Sequence, residues 1–347
     1  MKRFSTIVGV VVLSIVSLGL GVGARVAVES ADSWRVVSPV GSRADEGRTV
    51  SPLAARVPLP EEPQKYQLLF VGDIMLDRGV RYFVEREGGG DFRFPFQKIA
   101  ALTKSADVAF GNLEGPLSDQ GREIGNLYSF RMPVAALEGL RGAGFDVLSL
   151  ANNHIGDWGV AALTDTVARL EAAGIVPVGV TAVPGASPAA PAVVKVGNTR
   201  IAFLAFADFE DQYRASDAAA HIAFAREETV REAVRAARTV ADLVVATFHW
   251  GTEYLKEPTA RQQMLAHLAI DEGADLVVGS HPHILQPLEE YRGTYIAYSL
   301  GNFVFDQGFS RDTMTGGILS VMVEDRRIVE VVLHPVRLNN HFQSHVE

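Results

Sequence analysis

The sequence predicts a mixed α/β fold, and three observations carry that prediction. From Tyr66 onward, short apolar runs alternate with apolar residues at helical spacing, the signature of strands and helices taking turns and of parallel pairing. Four of the apolar runs open in the same way, with a small or apolar residue followed by aspartate: Ala106-Asp107, Phe145-Asp146, Ala241-Asp242 and Ala274-Asp275. Two further segments break like hairpins. Val193 to Ala207 is interrupted at Gly197-Asn198, and Ile318 to Leu338 at Glu324-Asp325-Arg326-Arg327. The hairpins add antiparallel strands, so the expectation is a mixed sheet or a pair of sheets.

In chain order, the first segment stands apart from the fold. Lys2 and Arg3 precede an apolar run from Ile7 to about Val22, close to the length of a secretory h-region, and Val22-Gly23-Ala24 offers small residues for cleavage. Residues 1–28 read as a signal peptide or an N-terminal membrane anchor. Either reading places the remainder outside the cytoplasm, because the positive charge precedes the apolar run. Residues 29–65 carry scattered serine, arginine and proline, end in Pro58-Leu59-Pro60-Glu61-Glu62-Pro63 and show no periodicity. They read as a flexible linker with an extended proline-rich end. One domain follows from 66 to 338, without an internal repeat, and 339–347 reads as a tail. Within the domain, Leu163, Val167 and Leu170 lie on one helical face closing at Gly174. Val230, Val234, Ala237 and Ala241 share a second face, and a third helix around Met264, Leu265 and Leu268 closes at Gly273.

Composition narrows the chemistry. With 48% hydrophobic and 21% charged residues the chain has enough apolar surface for a core rather than disorder. A formal net charge of -9 repels nucleic acid and gives no general attraction for phosphate. An anionic substrate must therefore be held locally, by metal or by a few arginines. The absence of cysteine excludes disulfides, thiolate metal sites, a cysteine nucleophile and a lipidated cysteine anchor.

The informative residues follow the strands. Leu68–Val71 runs into Gly72-Asp73, Val108–Phe110 into Gly111-Asn112-Leu113-Glu114, and Val147–Leu150 into Ala151-Asn152-Asn153-His154. Leu243–Phe248 runs into His249-Trp250-Gly251, and Leu276–Val278 into Gly279-Ser280-His281-Pro282-His283. In open α/β sheets the ligand crevice lies at the carboxyl ends of the strands. Five strand ends thus deliver Asp73, Asn112, Glu114, Asn153, His154, His249, His281 and His283 to one rim. Imidazole with carboxylate and no thiolate suits a divalent transition metal such as manganese, iron or zinc. Two such ions about 3.5–4 Å apart can hold a phosphoryl group and activate water, with a histidine outside the ligand set protonating the leaving oxygen. Each residue also has an ordinary role open to it. Gly72-Asp73 could be a turn, Asn153 or His154 a helix N-cap, and His249 part of an aromatic cluster with Trp250. Recurrence at five successive strand ends argues for a shared site, and His281-Pro282-His283 is the hardest to explain otherwise. The remaining histidines, His221, His267, His334, His341 and His345, read as structural or solvated.

Six motifs occur in order: Gly72-Asp73-Ile74-Met75-Leu76, Asn112-Leu113-Glu114-Gly115-Pro116-Leu117, Ala151-Asn152-Asn153-His154-Ile155-Gly156-Asp157, His249-Trp250-Gly251-Thr252-Glu253-Tyr254, Gly279-Ser280-His281-Pro282-His283 and Tyr298-Ser299-Leu300-Gly301-Asn302-Phe303. Together, from about Leu68 to Asp306, they resemble the CapA family associated with poly-γ-glutamate capsule synthesis. The resemblance implies a calcineurin-like four-layer sandwich, with two mixed sheets face to face, helices outside and one or two metal ions at the strand ends. It implies that Asp73 and His283 serve a first metal, Asn153 and His281 a second with His249 beside them, and that His154 donates a proton. Two positions depart from the broader phosphoesterase pattern. Met75 stands where a histidine is usual, and Asn112-Leu113-Glu114 stands where a Gly-Asp motif carries a further aspartate. Either Glu114 supplies the bridging carboxylate or the bridge is absent. Asp157, Glu253, Tyr298, Asn302 and Asp306 lie within or beside the motifs, as candidates to orient a ligand or to touch substrate. Arg78 and Arg131 are candidate anion clamps.

Two functions of different kinds follow. One is metal-dependent hydrolysis of a phosphoester or related bond. Amide cleavage would have to use the same metal-bound water, since no Gly-x-Ser-x-Gly elbow is present. The other is a non-catalytic, membrane-anchored accessory role in polymer assembly. The expected partners are an anionic polymer or phosphoester substrate, the membrane through the N-terminus, and capsule-assembly membrane proteins, with no nucleic acid.

Overall fold

The computed structural model describes residues 64–213 and 216–346; the leader expected at 1–28 and nearly all of the linker expected at 29–65 lie outside them. Among the described residues the chain order is β1 (Lys65–Ile74), α1 (Arg78–Arg86), α2 (Ala100–Thr103), β2 (Val108–Leu113), α3 (Ala136–Ala143), β3 (Val147–Ser149), α4 (Gly159–Ala172), β4 (Val176–Val178), β5 (Ala192–Val196), β6 (Thr199–Ala207), α5 (Glu227–Val240), β7 (Leu243–His249), α6 (Ala260–Asp271), β8 (Leu276–Ser280), β9 (Leu288–Tyr291), β10 (Thr294–Ala297), β11 (Asn302–Val304), β12 (Thr315–Glu324), β13 (Arg327–Leu338) and β14 (Ser344–Val346). None of their helices is long and apolar enough to cross a membrane.

The strands form two mixed sheets. One has eight strands in the order β14-β13-β12-β1-β2-β3-β4, with β11 also pairing to β1; the other has six, β5-β6-β7-β8-β10-β9. The expected parallel strands β1, β2 and β3 pair in parallel, as do β6, β7 and β8. Both expected hairpins are present. Gly197-Asn198 joins antiparallel β5 and β6, and Asp325 and Arg326, both at positive φ, join β12 to β13 in the doubly left-handed conformation that matches strand twist. The helices expected around Leu163 and Met264 are α4 and α6, each followed by a left-handed glycine, Gly174 and Gly273.

Strand alternation explains the layering. Ile201, Phe203, Leu243, Val245, Leu276 and Val278 point into the space between the sheets, where Phe203 stacks on Phe110 at 5.8 Å. Their neighbours Ala202, Leu204, Val244, Ala246 and Val277 point the other way, against Val230, Val234 and Ala237 of α5 and Leu265 and Ala269 of α6. The structure is therefore two mixed sheets face to face with helices outside.

The repeated aspartates have a common role. Each stands one residue before a parallel strand and exchanges two hydrogen bonds with one residue of the neighbouring strand. Asp107 donates its N–H to the Gln67 carbonyl and accepts the Gln67 N–H on its carboxylate. Asp146 does the same with Ala109, Asp242 with Arg200 and Asp275 with Val244, at 2.7–3.0 Å throughout. Every clamp ties the amino end of one strand to the next and fixes register there.

The expected tail differs. Residues 344–346 pair antiparallel with β13, the Ser344 hydroxyl donates to the Phe303 carbonyl, and buried Gln343 donates to the Phe94 carbonyl at 2.7 Å. A polar segment reads as a tail in sequence, but here Gln343 and Ser344 are hydrogen-bonded inside the domain.

Asp146→Ala leaves the Ala109 N–H without its acceptor. The expected cost is about 1–3 kcal/mol, read as a lower urea midpoint at unchanged m-value. An unchanged midpoint would show that the clamp does not hold the sheet.

Candidate metal and acid–base site

The site begins with a close approach that glycine permits. Gly72 lies within β1, extended rather than in a turn, and a β-carbon there would sit 1.8 Å from the Gly301 carbonyl oxygen. That contact brings the Gly301 carbonyl within 2.9 Å of the Asp73 N–H and sets the Asp73 carboxylate at the buried end of the strand. Asp73 Oδ1 accepts a 2.8 Å hydrogen bond from Asn112 Nδ2. Its Oδ2 accepts the His281 N–H at 3.2 Å and lies 3.3 Å from His283 Nδ1.

Asn112 is a hub. Its Nδ2 also lies 3.2 Å from His249 Nδ1, and its Oδ1 accepts from Asn152 at 3.3 Å. Because Nδ2 faces a carboxylate, the amide acts as a donor that orients Asp73. His249 Nε2 contacts Asn153 Oδ1 at 2.8 Å and His281 Nδ1 at 3.2 Å, and its Nδ1 lies 3.0 Å from the Ser280 hydroxyl. His283 Nδ1 meets Asn302 Oδ1 at 2.9 Å, while its Nε2 lies 3.7 Å from Glu114 Oε1. Asn302 turns its amide nitrogen to Gln307 and the Thr313 carbonyl, which leaves Oδ1 to accept from the imidazole. His281 and His283 both have positive φ, 96° and 58°, on either side of Pro282. That conformation is unfavourable for a residue with a β-carbon and is characteristic of functional sites.

His154 occupies the opposite wall. Asp157 Oδ2 accepts from its Nδ1 at 2.8 Å, its ring stacks on Phe130 at 3.9 Å, and its Nε2 lies 4.0 Å from Glu114 Oε1. Asp157 is buried and also accepts from Asn126 and the Phe130 N–H. Of the two carboxylates expected to orient a histidine, Asp157 does so, and the histidine is the expected proton donor. Glu253 instead lies with the ligand set. The donor atoms of Glu253, His281 and His283 are within 4.8 Å of one another, and those of Asp73, Glu114 and His249 form a second such group. The implied pairs are also close together: His283 Nδ1 lies 3.3 Å from Asp73, and His249 contacts both Asn153 and His281.

Other expectations are corrected. Tyr298 does not face the site: its hydroxyl donates to Glu289 at 2.7 Å and its ring packs with Trp250 in the core beneath α5 and α6. Trp250 packs there too, stacked on Phe248 at 4.4 Å, so the aromatic cluster and His249 occupy opposite faces of β7. Met75 is fully buried with Phe130 and Phe305, and its sulfur accepts the Asp77 N–H at 3.1 Å. Of the two candidate anion clamps, Arg78 is already committed to a carboxylate. Arg78 makes a two-pronged pair with Asp306, and Arg131 lies 3.6 Å over the Trp158 ring. His221 and His267 hold the Thr181 carbonyl and Glu289, consistent with structural roles. Sequence reasoning missed Asn152, Asn126, Ser280, Phe130 and Phe209, the last 4.4 Å from His281. Asn152 and Ser280 sit inside quoted motifs, so adjacency could have found them; the others carry no local signal.

The electrostatics fit a cation. Asp73 and Glu114 are fully buried, and among the described residues neither pairs with lysine or arginine. Glu114 Oε1 has no hydrogen-bond partner among the described residues. Burial pushes Glu114 well above the usual carboxylate range, opposed by His283 and reinforced by the Asp73 and Glu253 charges. Burial also drives His249 and His281 well below the ordinary imidazole value, with neighbouring histidines adding to the fall, so both are neutral donors. Burial lowers His283 too, but Glu114 and Asp73 outweigh it and hold it up to about 9. A buried carboxyl oxygen without a hydrogen-bond partner among the described residues, close to two neutral imidazoles and to His283, is a donor set suited to a divalent transition metal.

Comparison with known proteins fits this geometry. Residues 67–307 match the family described as bacterial capsule synthesis protein PGA_cap. The chain belongs to that family. Its relatives include the PGA biosynthesis protein CapA of Bacillus subtilis (strain 168), 35% identical over 245 residues, covering 70% of this chain and 64% of the relative. The capsule biosynthesis protein CapA of Bacillus anthracis is 34% identical over 260 residues, covering 72% and 62%. The chain thus spans somewhat less than two thirds of the length of these two relatives. A hypothetical protein from Thermus thermophilus shares the fold at a TM-score of 0.50 and 18% identity, over 78% of this chain and 98% of that one. The family match covers every donor described above.

A metal ligand must be deprotonated. Since His283 keeps its proton below about 9, metal uptake at pH 7 should release at least one proton, and affinity should climb with pH and level off above about 9. Titration calorimetry in buffers of unlike protonation enthalpy measures the release; buffer-independent heats would contradict it.

Proposed function

We propose that this protein is an extracytoplasmic, metal-dependent hydrolase of phosphoester or related bonds that acts in capsule or poly-γ-glutamate synthesis or export. The observation that carries the proposal is Glu114 Oε1, fully buried, without a hydrogen-bond partner among the described residues, and facing His283 Nε2 and His154 Nε2. Asp73, Glu114, Asn153, His249, His281, His283 and Glu253 would hold one or two divalent ions, of which manganese, iron and zinc suit the donors. A bound ion would stabilise negative charge on a substrate oxygen and lower the pKa of water. The chain's own residues supply the rest. Asp157 holds the Nδ1 proton of His154, so Nε2 is the atom that gives a proton to the leaving oxygen. Phe130 excludes water from one face of that ring. Asn112 and Asn302 fix the rotamers of Asp73 and His283. The apolar segment at 7–22 would hold the domain at the outer face of the membrane, near membrane-bound assembly partners and an anionic polymer.

A second reading, a non-catalytic accessory component of polymer assembly, is favoured by Met75. A buried thioether engaged with a backbone N–H stands where the resemblance implies a metal-binding histidine.

Elemental analysis of the purified full chain beside His281→Ala/His283→Ala separates the two. Near-stoichiometric metal, lost in the double variant, is the expected result; no metal under any loading condition would falsify the hydrolase reading. His154→Gln should keep its metal and lose about 10²–10⁴-fold in turnover of an alkyl phosphoester. Polymer production that survives Asp73→Ala and His281→Ala but not deletion of 1–28 would instead establish the accessory role.

A further inference from the structure

The mouth above the donor cluster is a pocket of about 320 Å³. His154, His283 and Glu253 line it together with exposed aromatic side chains, Tyr128, Tyr254 and Phe309. Phe309 is 66% and Tyr128 65% exposed, so folding does not account for their placement. Three separate loops bring them together.

Tyr254 is the most constrained of the three. It is exposed, yet its backbone is left-handed at φ 63°, which a β-carbon disfavours. Its N–H donates to the carbonyl of Pro282, the residue between the two site histidines, at 2.9 Å. Its hydroxyl accepts from Gln307 Nε2 at 3.1 Å, Gln307 Oε1 accepts from Asn302, and Asn302 accepts from His283. Phe309 meets the ring edge-on at 5.2 Å and 85°. The ring plane at the mouth is thus fixed by the same hydrogen-bond chain that fixes a site imidazole.

The charge of the mouth limits what fits there. Arg78 is the one arginine or lysine among the described lining residues, and both prongs of its guanidinium are engaged with Asp306. With Asp306 paired to Arg78, Glu253 leaves the wall with one acidic side chain and no uncommitted arginine or lysine among the described lining residues. A row of carboxylates would meet repulsion without a countercharge, whereas a single anionic group could be held at the donor cluster below.

We infer that the mouth is a ring-binding subsite built on Tyr254 and Phe309, and that the substrate carries one anionic ester group beside a ring, rather than a chain of carboxylates. The inference rests on the phosphoester reading above and narrows its substrate class. A planar ring would stack on Tyr254, and a saturated sugar-like ring would present C–H groups to the same face; the platform serves both.

Equilibrium binding to the metal-loaded full chain tests this, using benzylphosphonate and butylphosphonate as non-hydrolysable probes. Benzylphosphonate should bind roughly three- to tenfold tighter. Phe309→Ala, at an exposed side chain, should fold normally and reduce the preference; Tyr254→Ala should abolish it and Tyr254→Phe should keep it. Cyclohexylmethylphosphonate matching the benzyl probe would assign a saturated ring, and matching the butyl probe a planar one. Equal affinity for benzyl and butyl probes in the wild type, a preference untouched by both alanine variants, or tighter binding of a γ-linked glutamate oligomer would overturn the inference while leaving the metal-site reading standing. A chain that holds metal but binds no phosphonate would remove the phosphoester reading and this inference with it.

Discussion

Two fully buried carboxyl groups, Asp73 and Glu114, without a lysine or arginine partner among the described residues are the constraint on which the site depends. Buried charge is costly unless it is paired or coordinated. Here the compensation is assembled from neutral donors and one imidazolium. Asn112 and the His281 N–H satisfy Asp73, and His283, held up to about 9, stands opposite Glu114. The compensation is incomplete at Glu114 Oε1, and that remaining deficit is what a cation would fill.

The geometry that sustains this arrangement is borrowed from both sheets. Asp73, Asn112 and Asn302 come from the eight-stranded sheet, His249 from the six-stranded one, and His281 and His283 from the turn after β8. The left-handed backbone at both histidines is tolerated because their side chains and the Pro282 carbonyl are held by partners from several elements. The close approach at Gly72 joins β1 to Gly301, and β11 pairs with β1 so that Asn302 lies opposite Asp73.

Much of this was legible in the sequence because it is local. Short apolar runs and helical spacing placed the strands and helices, and the residues just after five strands formed the candidate set. What escaped is what depends on register or on distant chain. Tyr298 lies in a motif, but its side chain faces the helices; only the pairing of β8 with β10 and the packing of Trp250 decide that. Glu253 is separated from its histidine neighbours by about thirty residues, and only the fold shows that it joins their donors. Asn126 supports Asp157 from a loop with no pattern, and the strand at 344–346 is too short and polar to announce itself.

The four aspartate clamps lie at the amino ends of their strands, and the donor cluster lies at the carboxyl ends. The domain thereby keeps the chemistry that aligns its sheets a full strand length away from the chemistry that meets a ligand. Met75 and Asn112, the two positions that depart from the pattern the resemblance implies, both lie at the ligand end, away from the clamps. A scaffold divided in this way can lose, regain or retune a reaction while remaining the same folded object.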